Sequence, residues 1–396
     1  MRYTASAKLF AAGTALFAFT TPALALDGND LVNKLNTALN MQNGMGIVAG
    51  SITVDGSDVT LTDSRFEAGN GQGSVPLGTI ELEGVEEDAG AYTIESVTFD
   101  DINITDEKFA LTASDLSISD MRIPASSAGD TTDAVLFYGE ASVGAIEIKL
   151  DGKSVASVGS AKMTSEAADD KKSITFDVKV ADITGDLSAV EDAQVRQTID
   201  DLGINEIDGN ISMTGSWDLT TGTLETEEYA FDFANIGRLN MAFSLSGYTL
   251  DFLRSVQEAA KKAEASANDE QAQQAAGLAM LGLIQQLSFN SAEIRFDDDG
   301  ITTKALDVAA KKQGTTGDQL AQMIKAMAPM MLAQYNVPEL QKALTEALNT
   351  YLDKPGSFTI SAKPEKSVPV PTIMGAAMAA PNTIPQVLGV TVTAND

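Results

Sequence analysis

Residues 206–247 read EIDGNISMTGSWDLTTGTLETEEYAFDFANIGRLNMAFSLSG, and this stretch decides the fold. Apolar side chains recur at every second position: Ile211, Met213, Trp217 and Leu219, then Tyr229, Phe231 and Phe233, then Leu239, Met241, Phe243 and Leu245. A strand turns successive side chains to opposite faces, so this spacing predicts three strands, each apolar on one side and wet on the other.

The same period runs outward toward the N-terminus, through Ile174-x-Phe176-x-Val178-x-Val180, Ile146-x-Ile148-x-Leu150, Leu116-x-Ile118, Phe109-x-Leu111, Ile102-x-Ile104 and Val97-x-Phe99. It reaches Val59-x-Leu61 and Ile52-x-Val54, which flank the hairpin signal Asp55-Gly56-Ser57. Asp-Gly recurs at 151–152, 208–209 and 299–300, where glycine permits the positive φ of a tight turn. Ahead of the strands, Leu31, Leu35 and Leu39 mark a short helix, with Asn29 or Asp30 as its cap and Asn43-Gly44 as its stop.

Beyond residue 249 the apolar period changes to that of a helix. Phe252, Leu253, Val256, Ala259, Ala260 and Ala263 form one stripe, and Ala272, Ala276, Met280, Leu283, Ile284 and Leu287 a second after a polar break at 266–269. A strand pair at 289–296 and 301–303 is expected to meet at Asp298-Asp299-Gly300. Helices follow at 318–334 and 338–352, with Pro338 suited to a first helical position and Pro355-Gly356 a stop. Phe358-x-Ile360 returns to strand, the proline-rich stretch 364–385 is expected to be extended with at most short helical turns, and Val390-x-Val392 closes the chain. The fold class is α+β: mainly an antiparallel β meander, as a curved or elongated sheet, with a helix-rich C-terminal region. The expected division is a signal peptide at 1–25, an acidic antiparallel β region at 26–248, and a helix-rich region with closing strands at 249–396.

The chain contains neither histidine nor cysteine. Ser-His-Asp and Cys-His sites, disulfides and zinc centres of imidazole or thiolate are therefore excluded. Arg2 and Lys8, the apolar run 9–19, Pro22 and Ala23-Leu24-Ala25 read as a secretion signal cleaved between Ala25 and Leu26. The apolar stretches 278–287 and 323–332 are too short and interrupted to span a bilayer. A soluble periplasmic protein is expected, without a transmembrane segment in its mature form. Residues 26–250 hold 40 acidic against 12 basic side chains, and residues 251–396 hold 16 against 12. Such a surface repels nucleic acid and anionic headgroups.

Calcium, which takes oxygen ligands, is the one ion this composition invites; otherwise no cofactor is expected. Asp297-Asp298-Asp299-Gly300 lacks the glycine and the bidentate acid of an EF-hand at the required offsets and reads as a turn, as do Asp100-Asp101, Asp169-Asp170 and Asp200-Asp201. The glycines of Gly69-x-Gly71-x-Gly73 read as a flexible loop, and Gly152-Lys153-Ser154 as a hairpin turn. More suggestive are Met323, Met327, Met330 and Met331, at i, i+4, i+7 and i+8 on a helix containing Pro329, with Met374 and Met378 repeating the i, i+4 spacing. Thioethers pack a core or line an adaptable apolar groove; the groove would use these four methionines and the helix pair 249–287 as a facing wall.

Gly222-Thr223-Leu224, Ile236-Gly237-Arg238-Leu239 and Phe243-x-Leu245-x-Gly247 form one arrangement. Ile294-Arg295-Phe296-Asp297-Asp298-Asp299-Gly300-Ile301 with Leu388-Gly389-Val390-x-Val392-x-Ala394-Asn395 forms another. Over 205–396 these resemble uncharacterised β-rich envelope proteins of Gram-negative cells and, more distantly, the AsmA and TamB type. The resemblance implies amphipathic strands that offer lipid an apolar inner surface. The expected function is a non-enzymatic envelope protein that binds an apolar or amphipathic ligand or a protein partner. Two alternatives are an acidic structural protein that binds divalent cations and a carboxylate-dependent glycan hydrolase.

Overall fold

The alternating stretches pair into a single antiparallel sheet of 21 strands in the computed structural model, which describes residues 26–39, 45–68, 73–265, 270–334 and 337–396. The expected leader at 1–25, the helix stop at Asn43-Gly44, Gly69 and Gly71, and the polar break at 266–269 lie outside the described residues.

Helix α1 (Gly28–Ala38) precedes β1 (Met45–Val48), β2 (Ser51–Asp55), β3 (Asp58–Ala68), β4 (Ser74–Glu83) and β5 (Glu86–Asp88). Next come β6 (Ala91–Phe99), β7 (Ile102–Thr105), β8 (Phe109–Ala113), β9 (Ser117–Ile123), β10 (Glu140–Val143) and β11 (Ile146–Leu150). The meander continues with β12 (Lys153–Val158), β13 (Ser160–Ala167), β14 (Ser173–Asp186), helix α2 (Ala193–Leu202), β15 (Glu206–Asp218), β16 (Thr223–Phe233) and β17 (Gly237–Ser246). The helix-rich part holds α3 (Leu250–Ala265), α4 (Glu270–Ile284), β18 (Ser288–Asp298), α5 (Ile301–Lys312), α6 (Gly317–Ala333) and α7 (Pro338–Asp353). It ends with β19 (Ser357–Ala362), β20 (Val368–Pro369), α8 (Val370–Ala379), α9 (Ile384–Val387) and β21 (Val390–Ala394).

Most strands pair with the next in sequence, and β4–β6, β6–β9 and β10–β13 skip over short strands or the side ribbon. Its spine runs β2–β3–β4–β6–β9–β10–β13–β14–β15–β16–β17–β18–β19–β21, antiparallel throughout. A side ribbon β7–β8–β11–β12 rejoins it at β14. Bulges interrupt the ladder where an aspartate takes a left-handed conformation, as at Asp63 (φ 51) and Asp182 (φ 53). Aspartate tolerates that region better than most residues. The neighbouring strand supplies glycine there: a Cβ on Gly50 would stand 2.9 Å from that of Asp63, and one on Gly159 2.8 Å from that of Asp182.

The main core forms at the start of the sheet. Helix α1 buries Leu31, Val32 and Leu35 against Val59, Leu61, Ile80, Leu82, Val97 and their neighbours. Leu31 alone, fully buried, contributes about 2–3 kcal/mol by the area it removes from water. The cap is Asp27, which accepts from Asn29 N (2.9 Å) and Asp30 N (3.2 Å), two or three residues earlier than the sequence suggested. Leu39 is not on the buried stripe; it is the C-cap residue and is exposed.

Three elements differ from expectation. Residues 301–303 are not a strand partner for 289–296 but the first turn of α5. The Asp298 carboxylate accepts from Gly300 N and Thr302 N (2.9 Å each) and so starts a helix. Helix α2, capped by Asp192 and ended by Gly203 at φ 67, interrupts the β region. Within the proline-rich stretch, Val370–Ala379 is a full helix, with Pro371 at its start, where a missing N–H does no harm.

Candidate functional site

Cross-strand register aligns the alternating apolar positions into rows. One row crosses the whole spine. It begins with Val54, Val59, Leu82, Val97 and Ile118, on β2, β3, β4, β6 and β9. Ala141, Met163, Val178 and Met213 carry it over β10, β13, β14 and β15. Tyr229, Met241, Ile294, Ile360 and Val392 complete it on β16, β17, β18, β19 and β21. No charged or amide side chain interrupts it. Ile211, Phe231, Leu239, Phe296 and Phe358 form a second apolar row two residues away on the same face. The neighbouring row on the opposite face is polar apart from one alanine: Lys179, Ser212, Ala230, Asn240, Arg295 and Thr359.

Burial changes along the apolar row. Val59, Leu82 and Val97 are at most 3% exposed beneath α1. From Ile118 to Ile360 no member is buried, and Ile294 and Ile360 are 49% and 41% exposed. The far end is covered again: Val392 is buried, as are Ala347 and Tyr351 of α7, which packs on β21, and the Tyr351 ring lies 5.5 Å from that of Phe358. The result is an uncovered apolar strip between two helix-covered ends. At about 4.8 Å per strand, the strip from Ile118 to Ile360 is about 40 Å long.

The predicted groove methionines lie elsewhere. Met323, Met327, Met330 and Met331 sit on α6, 45–70% exposed, while Leu320, Ala321 and Ala328 on that helix are buried. Helix α6 packs on α5 and α7, and α3 packs on α4. Pro329 does not break the helix, and its carbonyl accepts from Gln341 Nε2 at 2.9 Å. Leu26, the expected first mature residue, packs against the α1 core, and Ala25 lies outside the described residues.

The acidic motifs are occupied by the fold. Asp297 pairs with Arg295 at 2.8 Å, Asp298 caps α5, and Asp299 accepts from Asn235 N at 2.7 Å. Among the described residues no three carboxylates are placed to hold a metal ion. A cleft of about 640 Å³ between α1 and α3 contains one carboxylate, Asp30, beside Lys34, Arg254 and Lys261. Asp30 is itself engaged, by Lys34 Nζ and by the Tyr92 hydroxyl, both at 2.7 Å, and these bonds hold its carboxyl below the usual range. Arg254 ties α3 to the loop before β10 through Ser127 O and Gly129 O. With one carboxylate and no partner across the cleft, the acid–base pair of a glycan hydrolase is not assembled there.

On the polar face, hydrogen bonds from Ser212 and the guanidinium of Arg238 (2.8 Å) hold the Glu228 carboxyl below the ordinary glutamate value. The charged side chains are thus settled on one face while the other stays apolar. Many of these strands showed their alternation in the sequence, but the alignment of strands into one row depends on bulges, such as those at 180–183 and 226–229, that no local pattern displays. No described helix is long and apolar enough to cross a membrane.

A family model described as an uncharacterized protein matches residues 230–395, from within β16 to the final residues of the sheet. No curated protein matches the chain.

Proposed function

We propose that this chain is a non-enzymatic periplasmic protein of the cell envelope that holds an amphipathic, lipid-like ligand on the apolar face of its sheet. The observation that carries the reading is the uninterrupted apolar row that emerges from the α1 core and runs uncovered from Ile118 to Ile360. Exposed apolar surface of this continuity marks a binding surface more often than a solvated one. The strip is longer than the ~30 Å hydrocarbon core of a bilayer and accommodates a single acyl chain along its length. The resemblance to AsmA-type proteins and the secretion signal support the same assignment.

A face open on one side covers about half of a chain. At about 0.8 kcal/mol per buried methylene, sixteen carbons half covered yield roughly 6 kcal/mol, a dissociation constant in the tens of micromolar. The test is titration with a fluorescent fatty acid. Wild type is expected to show saturable binding in that range, and the Met241→Asp/Ile294→Asp variant to remain folded by circular dichroism and bind at least tenfold more weakly. Wild type without saturable binding, or a folded variant that binds as well, refutes the reading. Export is tested by the mass of the protein recovered from periplasm, which should begin at Leu26.

A further inference from the structure

Helices α4 and α8 lack the packing that ordinarily sustains a helix. Short helices in water are held mainly by burying one face in tertiary structure. No described side chain of α4 is buried, and α8 buries none. Yet both are apolar: Leu278 is 70% exposed and Leu281 44% on α4, and Met378 is 86% exposed and Met374 37% on α8. One side of α4 rests on α3, and its opposite side carries Leu278 and Leu281. Nothing lies within 4 Å of where a Cβ would stand on Gly277, Gly282 or Gly375.

The C-terminal end of α4 and the start of α8 both lie by the first residues of β18. Helix α4 leads into β18, and Val370 N at the start of α8 donates to Leu287 O at 3.0 Å. In a chain of net charge −30, residues 271–292 and 367–395 contain no charged side chain. An uncharged, apolar end is thereby set on an acidic body.

We infer that this end, formed by α4 and α8, docks on the surface of an uncharged or zwitterionic lipid bilayer. Protein interfaces draw their affinity from aromatic and arginine anchors within a polar rim, and neither helix contains an aromatic residue or an arginine. Apolar surface on more than one side is the pattern of a helix in apolar surroundings rather than of one seated by a single face in a protein groove. Neither helix is long enough to cross, so insertion is shallow. Having no cationic face, the site gains nothing from anionic lipid, while the acidic body is repelled by it. This surface is separate from the strip on the sheet, and the inference does not rest on that strip holding a ligand.

The test is flotation of the mature chain with phosphatidylcholine vesicles, alone and with added phosphatidylglycerol. Wild type is expected to float with the neutral vesicles and less with the anionic ones. Leu278→Asp/Met378→Asp should weaken partitioning by about tenfold or more, given the apolar area withdrawn. Both positions are exposed, so circular dichroism and binding of the fluorescent fatty acid should be unchanged; Leu278→Ser/Met378→Ser, which adds no charge, should weaken flotation in the same direction. Wild type that stays at the bottom, floats only with anionic vesicles, or floats as well when substituted overturns the inference. Sedimentation showing a dimer that these substitutions dissociate would make a second copy the occupant and overturn it too.

Discussion

The apolar row is buried over β3, β4 and β6 and partly exposed over β10 to β19, although it stays apolar throughout. Under α1 the residues are Val59, Leu82 and Val97, each at most 3% exposed; beyond them are Met163, Val178, Met213 and Met241, none of them buried. What differs is the third layer. Tertiary cover, not strand pattern, decides whether an amphipathic sheet becomes core or surface. The same face thus serves as foundation at one end and as the proposed ligand surface further on.

That comparison breaks most visibly by truncation within the row. Leu82→Ala removes a side chain 2% exposed and should cost about 3 kcal/mol, transfer and cavity together. Met241→Ala, on the same row but uncovered, should cost about 1 kcal/mol or less. Urea denaturation of both variants measures the difference. Equal losses would mean that the uncovered strip is packed in solution and the two regions do not differ.

A smaller effect probes the cover itself. Asp27 is the cap of α1, so Asp27→Ala should lose about 1 kcal/mol through the two backbone N–H groups left unpaired. Because α1 lies over Val59 and Leu82, amide hydrogen exchange should rise in β3 and β4 and stay unchanged in β16 and β17. Uniform acceleration across the sheet would show that α1 is not a local cover.

Much of this architecture was legible because strand and helix periods are local. Strands at 52–61, 97–118, 146–150, 174–180 and 211–245, with α3, α4, α6, α7 and the closing strand, followed from spacing alone, while β4, β5, β10, β12 and β13 were not among them. Ile301-Thr302-Thr303 misled because β-branched residues after Asp-Asp-Gly look like the return arm of a hairpin. The outcome was set by the Asp298 carboxylate, which caps the backbone at 300 and 302. Helix α8 was obscured by prolines on either side of it, one of which occupies a first-turn position. The apolar strip was half legible: alternation gave its members, but register and cover are long-range properties. The methionines stood out by their i, i+4, i+7 and i+8 spacing, and what spacing could not tell was how exposed they would be.

A still smaller change is expected on α6. Met327 is 48% exposed, so Met327→Asp should stay folded and shift stability by no more than about 0.5 kcal/mol, in contrast with Leu82→Ala. Thermal denaturation decides it. A variant that unfolds would place that helix face in a packed interior and return the methionines to a core role.

The smallest effect concerns pH, and here the two regions should behave alike. No histidine is present to titrate near neutrality. Among the described residues the perturbed carboxyls are all moved downward: Asp30 by Lys34 and Tyr92 near the covered end, Glu228 by Ser212 and Arg238 beyond it, Asp218 by the Thr221 and Thr220 backbone N–H groups, Asp396 chiefly by Thr393, Glu147 chiefly by Lys149 and Asp186 chiefly by Ser188. A carboxyl lowered on folding contributes stability that is present above its unfolded value, about 4, and is lost as pH falls through the folded value. Thermal stability should therefore be nearly flat from pH 6 to pH 8, since that window lies wholly above the titrations. Below it, protonation also relieves repulsion within a chain of net charge −30, an opposing effect that a melting curve cannot separate. Carboxyl-carbon NMR isolates the local contribution. Glu228 should titrate below the ordinary glutamate value, and Ser212→Ala should move its midpoint upward, because the largest contribution to the shift is the hydroxyl bond. A midpoint unchanged by that substitution would assign the shift to Arg238 instead, and a melting temperature that varies steeply between pH 6 and pH 8 would have to come from a group other than histidine or cysteine, which this chain lacks.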